Sequence, residues 1–289
     1  MSQINKITQQ GFRKAEKITK QYAKTFYFAS RFLPEEKRKA AYAVYAICRL
    51  SDDAVDTADG SYLTNNINQI KEDIEAVYSN GALRNNVLVA LQETVNKYNI
   101  PKYYFDQLLE GMAMDLAKKR YENFDELHLY CYRVAGVVGL IMLKIFGSKD
   151  PSAQQHAIDL GIAMQLTNIL RDIKEDYQRG RIYLPQDEMD HFGISEKHIS
   201  KAAVDDSLIS FLKFQIQRAR NYYDGANQGI NKITSSASRF VTCAMKDMYA
   251  AILSAIEKNG FDVFSQRAHV NNKGKTLIAL KILFTCQFL

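Results

Sequence analysis

Apolar residues return at every third and fourth position along most of this chain, the spacing of one face of an α-helix. The pattern predicts helices near 4–30, 35–58, 66–79, 84–98, 102–119, 126–146, 151–178, 205–231, 235–259 and 274–285. Alternation of the kind a half-buried strand needs is nowhere sustained, and no Asn-Gly pair between β-branched runs suggests a hairpin. Proline placement agrees with this. Pro34 and Pro151 open "PEEKRKAAYAVYAICRL" and "PSAQQHAIDLGIAMQL" at the first helical position, with Asp150 placed to cap the second. The longest irregular stretch is 179–204. No Gly- or Ser-rich linker and no repeat divides the chain, so one domain over 1–289 is the simplest organisation.

Composition changes the picture little. Apolar residues make up 47% and charged residues 24%, enough for a packed core and unlike a disordered chain. Charge says more. The formal +6 divides into 11 Lys/Arg against 3 acids over 1–49, 15 against 23 over 50–200, and 12 against 6 over 201–289. Basic ends around an acidic centre suit an enzyme that holds cations centrally and meets anions at its rim, although solvated helix faces would produce the same count. The basic residues are dispersed and form no recognised nucleic-acid motif, so no nucleic-acid partner is expected.

Cys48, Cys131, Cys243 and Cys286 are far apart, without a CxxC, and no secretory leader precedes the first predicted helix. Reduced thiols in the cytoplasm are expected. The tail "LIALKILFTCQFL" is apolar but only 13 residues long and interrupted by Lys281, too short to span a bilayer. It reads as a core helix, or as a patch touching a membrane surface.

The candidate chemistry lies in two stripes. In "QLTNILRDIKEDYQRGRIYLP" (165–185), Gln165, Asn168, Asp172 and Asp176 fall along one helical face, with Arg171 beside them. In "YAVYAICRLSDDAVDTADG", Tyr45, Arg49, Asp52 and Asp56 do the same, opposite the core-like Ala43, Ala46, Ile47 and Leu50. Acids four apart on a helix repel each other, so each stripe asks for a cation. Hard oxygen donors of this kind suit Mg²⁺, which keeps several waters and favours one or two carboxylates plus a substrate phosphate. With 19 Asp in the chain, roughly one Asp-xxx-Asp pair is expected by chance. Two such pairs, each with an Arg just ahead and in apolar surroundings, exceed chance. The five histidines show no zinc-ligand spacing.

These segments resemble the squalene/phytoene synthase family, the head-to-head prenyl synthases. "RLSDDAVD" is similar to the first aspartate motif and "NILRDIKED" to the second. "YCYRVAGVVG" (130–139) resembles the signature between them, and "GRIYLP" and "FGISEKHI" follow in order. "KTFYFASRFLPEEKRKAAYAVYAICR" resembles the opening, so nearly the whole chain is covered.

The resemblance implies an all-α, single-domain isoprenoid-synthase-type helical bundle around a central substrate cavity. Asp52, Asp56, Asn168, Asp172 and Asp176 would hold two or three Mg²⁺ ions, with Mn²⁺ as a substitute, and NADPH is not expected. Arg49, Arg171, Tyr249, Arg267 and Lys273 would meet diphosphate oxygens. Tyr45, Tyr130, Gln165 and Asn168 would line the reaction centre near Asp115, with Tyr130 and the four aspartates as catalytic groups.

Phe26 and Ser30 are one turn apart on a helix that the family sets against the substrate tunnel. A small Ser30 leaves room for a long tail, which leans toward two geranylgeranyl diphosphates giving phytoene in carotenoid synthesis. C30 products from farnesyl diphosphate and a prenyl diphosphatase on the same fold stay open. So, more remotely, does a helical scaffold without chemistry. A monomer with peripheral membrane contact for product release is also implied. In "VAGVVG", the small face of Ala135, Gly136 and Gly139 makes room for a neighbouring helix or for a substrate tail.

Overall fold

The computed structural model describes residues 3–56 and 60–285, apart from the side chains of 3–5, 52–56, 60–66 and 284–285. Helices α1 (Gln3–Tyr22), α2 (Lys24–Ser30), α3 (Glu35–Asp56), α4 (Gly60–Ser79), α5 (Asn86–Tyr98) and α6 (Lys102–Ala117) form the first half. After a short strand β1 (Arg120–Tyr121) come α7 (Phe124–Cys131), a π turn (Tyr132–Gly136), α8 (Val137–Phe146), α9 (Ala153–Arg171) and α10 (Ile173–Gln178). Strand β2 (Ile182–Pro185), α11 (Gln186–His191), α12 (Glu196–Ser200), α13 (Asp206–Ile230), α14 (Ser236–Lys258) and α15 (Asn272–Thr285) complete it.

The starts are set by side-chain caps. Asn85, Asn123, Asp205 and Ser235 each accept a hydrogen bond from a first-turn backbone N–H, which a helix leaves unpaired. Pro101 and Pro185 stand one residue ahead of α6 and α11 in extended backbone, and α6 starts at residue 102 as the apolar spacing predicts. Asp150 accepts from the Ser152 N–H at 2.9 Å, capping the turn that leads into α9.

Three predicted helices are interrupted, each near the site. The 4–30 span breaks at Ala23 (φ −121°, ψ 60°). The 126–146 span passes through the π turn, closed by Val137 N–H to Tyr132 O, a feature common at functional positions. The 151–178 span bends at Asp172 (φ −107°, ψ 17°). The irregular 179–204 stretch holds α11, α12 and β2, which pairs in parallel with β1. Strands of two and four residues leave no alternation for a sequence to show.

Two apolar cores meet along the molecule. One is built around α1, α3, α5 and α6, the other around α7, α9 and α13, and Met164 and Tyr249 pack against both. Helix α9 lies close to α8 and the π turn. A Cβ added at Gly139 would stand 2.1 Å from the Ala157 carbonyl oxygen, and one at Gly161 would stand 2.3 Å from that of Ala135. The small face of "VAGVVG" therefore serves helix contact, and Ala135 and Gly139 also border the cavity.

Candidate active site

Along the seam between the cores runs a cavity of about 890 Å³. Its depth is apolar, with Phe26 of α2, Met142 and Leu143 of α8, Ala157 and Leu160 of α9, and Met245 of α14 among the lining. Its polar end is set by α9, which presents Gln165, Asn168 and Arg171 at three-residue steps, together with Tyr249 of α14 and Arg267 of the segment before α15. Tyr45 of α3 also lines it, its ring 6.0 Å from that of Phe26.

Neither Asp172 nor Asp176 is in the cavity wall: Asp172 lies against its arginines and is heavily countered, while Asp176, which borders a separate small hollow with Arg181 and Tyr183, is not. Asp172 accepts from Arg171 Nε at 2.7 Å, and from Arg267 Nε and Nη2 at 2.7 and 2.8 Å. Burial pushes its carboxyl up, but the two guanidiniums outweigh that and hold it below the usual carboxylate range. Asp176 is pushed up to about 7, first by burial and then by the charges of Asp172 and Asp115, only partly offset by Arg179 and Arg181. Despite the bend, Asp176 N–H still bonds Asp172 O at 2.8 Å, so the two acids remain one turn apart.

Asn168 donates to Gln165 at 3.4 Å, while its own Oδ1 is buried without a hydrogen-bond partner. A buried acceptor with no donor and a buried acid with too little positive charge fit a hard cation. Among the described residues no three His, Cys, Asp or Glu side chains form a complete metal set. The side chains of Asp52 and Asp56, expected to supply the other half, lie outside the described residues, and their backbone ends α3. Arg49, one turn earlier, sits over the Tyr22 ring, 4.5 Å from its centroid.

Tyr130 and Asp115 form a second cluster and are not in the cavity wall. Asp115 accepts from Tyr130 Oη at 3.0 Å and from Tyr183 Oη at 2.7 Å, one on each oxygen. The Tyr130 and Tyr183 rings stack at 5.1 Å, and Tyr121 stacks on Tyr183 at 5.6 Å. Burial, then the Asp115 charge, pushes the Tyr130 hydroxyl well up. The β1–β2 ladder brings Tyr121 and Tyr183 together. Tyr183 lies in "GRIYLP", a segment legible as a motif but not as a site.

Two expected contacts are not made. Ser30 is buried outside the cavity wall, its Oγ donating to Tyr42 Oη at 2.9 Å and to Tyr27 O at 3.1 Å, so Phe26 alone of that pair reaches the cavity. Lys273 is exposed, and two residues on, about 200° round the helix, Lys275 stands at the wall instead, opposite Lys24. Burial and the Lys24 charge lower the Lys275 ammonium. Sequence reasoning passed over both lysines, although Lys24 opens the "KTFYFASR" segment.

This all-α chain, whose apolar cavity ends in arginines backed by Asp172, has the isoprenoid-synthase helical fold. Residues 19–273 match the squalene/phytoene synthase family. Phytoene synthase 2, chloroplastic, of Solanum lycopersicum is 40% identical over 285 residues, 96% of this chain and 91% of that protein. The 15-cis-phytoene synthase of Synechococcus elongatus is 38% identical, with 90% and 88% covered. A crystal structure of a dehydrosqualene synthase in complex with ligand superposes with a TM-score of 0.90 at 29% identity, covering 96% of each chain. The chain belongs to the squalene/phytoene synthase family.

Proposed function

We propose that the protein joins two molecules of geranylgeranyl diphosphate head to head, through a cyclopropyl diphosphate, to give phytoene. The observation that carries this is Arg171 and Arg267 converging on Asp172 at the polar end of a deep apolar cavity. Relatives near 40% identity named phytoene synthase favour the C20 substrate over C15.

Asn168, Asp172 and Asp176 are the described residues suited to Mg²⁺, which when bound supplies charge neutralisation for a departing diphosphate. Arg171 and Arg267, whose Nε and Nη2 groups are held on Asp172, would supply charge and donors to diphosphate oxygens at this end of the cavity, and Tyr249 Oη stands beside both. As diphosphate leaves the first substrate, the allylic cation forms among apolar walls that exclude water, with the Phe26 and Tyr45 rings in the lining. The second substrate's double bond attacks that cation, and loss of a proton closes the cyclopropane. Departure of the second diphosphate is followed by rearrangement, and loss of another proton gives the conjugated triene, so no reductant is consumed. Asp115 holds Tyr130 and Tyr183 by their hydroxyls, fixing two ring faces behind the acids.

The test is incubation with geranylgeranyl or farnesyl diphosphate, with Mg²⁺ or with EDTA, and chromatography of the extract. Phytoene from the C20 substrate, abolished by EDTA, is expected. Exclusive C30 product, or prenyl alcohol alone, would overturn the reading.

A further inference from the structure

Glu188 of α11 is met by Arg218 of α13 in a two-pronged contact, Nη1 to Oε2 at 2.8 Å and Nη2 to Oε1 at 2.5 Å. Gln215, one turn earlier on α13, donates to the same carboxylate at 2.6 Å and accepts from Arg218 Nη1 at 3.0 Å. The Arg218 guanidinium also lies over Phe124, 3.8 Å from its ring centroid, and over Phe214 at 4.8 Å. The charged side chains are only 17% and 16% exposed.

Each element gripped here carries one tyrosine of the Asp115 cluster. Phe124 opens α7, and Tyr130 stands near its end. Glu188 follows Tyr183 across the β2–α11 junction, where the Asp187 N–H also bonds Glu122 O at 3.0 Å. Further along α13, Tyr223 Oη shares a hydrogen bond of 2.8 Å with Thr167 Oγ1, next to Asn168 of α9. One helix thus holds the tyrosine-bearing elements at Arg218 and the polar end of the cavity at Tyr223.

A nearly buried ion pair adds little net stability over apolar groups of like volume, because desolvation offsets the attraction. What it adds is a single geometry, since a planar fork on a carboxylate has one register and aliphatic contacts have many. We propose that the Arg218–Glu188 pair is a positioning element, setting Tyr130 and Tyr183 against Asp115 in register with α9. That the placed rings serve prenyl condensation rests on the function proposed above; the placement does not.

Arg218→Gln leaves Glu188 nearly buried without its counter-charge. Amide hydrogen exchange over 124–131 and 182–191 should then quicken by about fivefold or more, while that of α5 stays as it is. Exchange unchanged in both segments overturns the proposal. No substrate enters this measurement, so its failure and a failure to form phytoene are separate results.

Glu188→Leu/Gln215→Leu/Arg218→Met replaces the polar set by apolar groups of similar size, which should leave Tm within about 5 °C. Its kcat with geranylgeranyl diphosphate should nonetheless fall about tenfold, with KM within about twofold because Arg171 and Arg267 are untouched. In a Tyr183→Phe background the same triple change should cost less than about threefold, because the ring it places has already lost its anchor. A kcat that merely follows the folded fraction, or losses that simply multiply, would show a brace for stability and overturn the proposal. Arg218→Lys keeps the charge but not the fork, and it decides the matter if the triple variant does not fold. Its kcat should fall severalfold at unchanged KM, and turnover equal to that of the unaltered protein overturns the proposal.

Discussion

Arg267 closes its guanidinium on both carboxylate oxygens of Asp172, a residue 95 positions earlier in the chain. Arg171 bonds the same carboxylate. Asp172 is thereby held below the usual range while Asp176, one turn on, is pushed above it. Two neighbouring acids kept apart in this way are in different electrostatic states, one countered by two arginines and one short of positive charge.

Replacing that guanidinium tests its part. Charge-assisted hydrogen bonds contribute about 1.5–3 kcal/mol, so Arg267→Gln should lower kcat/KM for the diphosphate substrate about 10- to 100-fold. Arg267→Lys should restore only part, because an ammonium cannot make the two-pronged contact. Steady-state kinetics decide it, and an unchanged kcat/KM would remove Arg267 from the site.

Much of this fold is visible in apolar spacing alone, because helix faces are a local property. The exceptions are local breaks with distant causes. At Asp172 the helical pattern continues in the sequence while the backbone bends, and the carboxylate there is gripped by Arg267, which no window around 172 contains. Tyr183 was missed because it matters through a β1–β2 pairing too short to have a period. Ser30 was misplaced because sequence shows that a residue is small, not which way its helix faces. Asn168, Arg171 and Gln165 were legible because one helical face carries all three.

Asp176 yields a pH prediction whose sign is fixed. A carboxyl raised from 3.8 to about 7 on folding adds stability below pH 4 that is lost as pH rises to about 7. The loss is on the order of 2–4 kcal/mol. In EDTA, Asp176→Asn should therefore raise Tm over the unaltered protein by roughly 5 °C at pH 8 and hardly at all at pH 4. Mg²⁺ should narrow the gap at pH 8 by stabilising the ionised acid. Thermal melts at both pH values, with and without Mg²⁺, give the answer; a gap indifferent to pH would mean that Asp176 is not the strained group.

Asp115 offers one oxygen to Tyr130 and the other to Tyr183, so the two tyrosines should be coupled. Tyr183→Phe frees one oxygen and removes the anchor of a stacked ring, and a loss of about tenfold in kcat is expected. Combined with Tyr130→Phe the losses should not add, with a coupling energy above about 0.5 kcal/mol. A double-mutant cycle on kcat measures it. Strict additivity would show that the shared carboxylate does not link them.

We expect substrate length to be set along α9, because Ser30 lies outside the cavity wall. Ala153, Ala157 and Gly161 recur at four-residue steps on α9 and border the cavity. Gly161 is already committed to backbone contact with Ala135, which leaves Ala157 as a small side chain whose growth would narrow the space for a tail. Overfilling a packed space costs about 1–3 kcal/mol, and a C20 tail needs that space more than a C15 tail does. Ala157→Phe should therefore lower the ratio of geranylgeranyl to farnesyl diphosphate turnover about tenfold. Ser30→Ala, which removes the hydroxyl's contacts with Tyr42 Oη and Tyr27 O, should cost about 1 kcal/mol of stability and leave the ratio unchanged. Parallel assays of the two variants on both substrates separate the alternatives: if Ser30→Ala moves the ratio and Ala157→Phe does not, length is measured beneath α2 and not along α9.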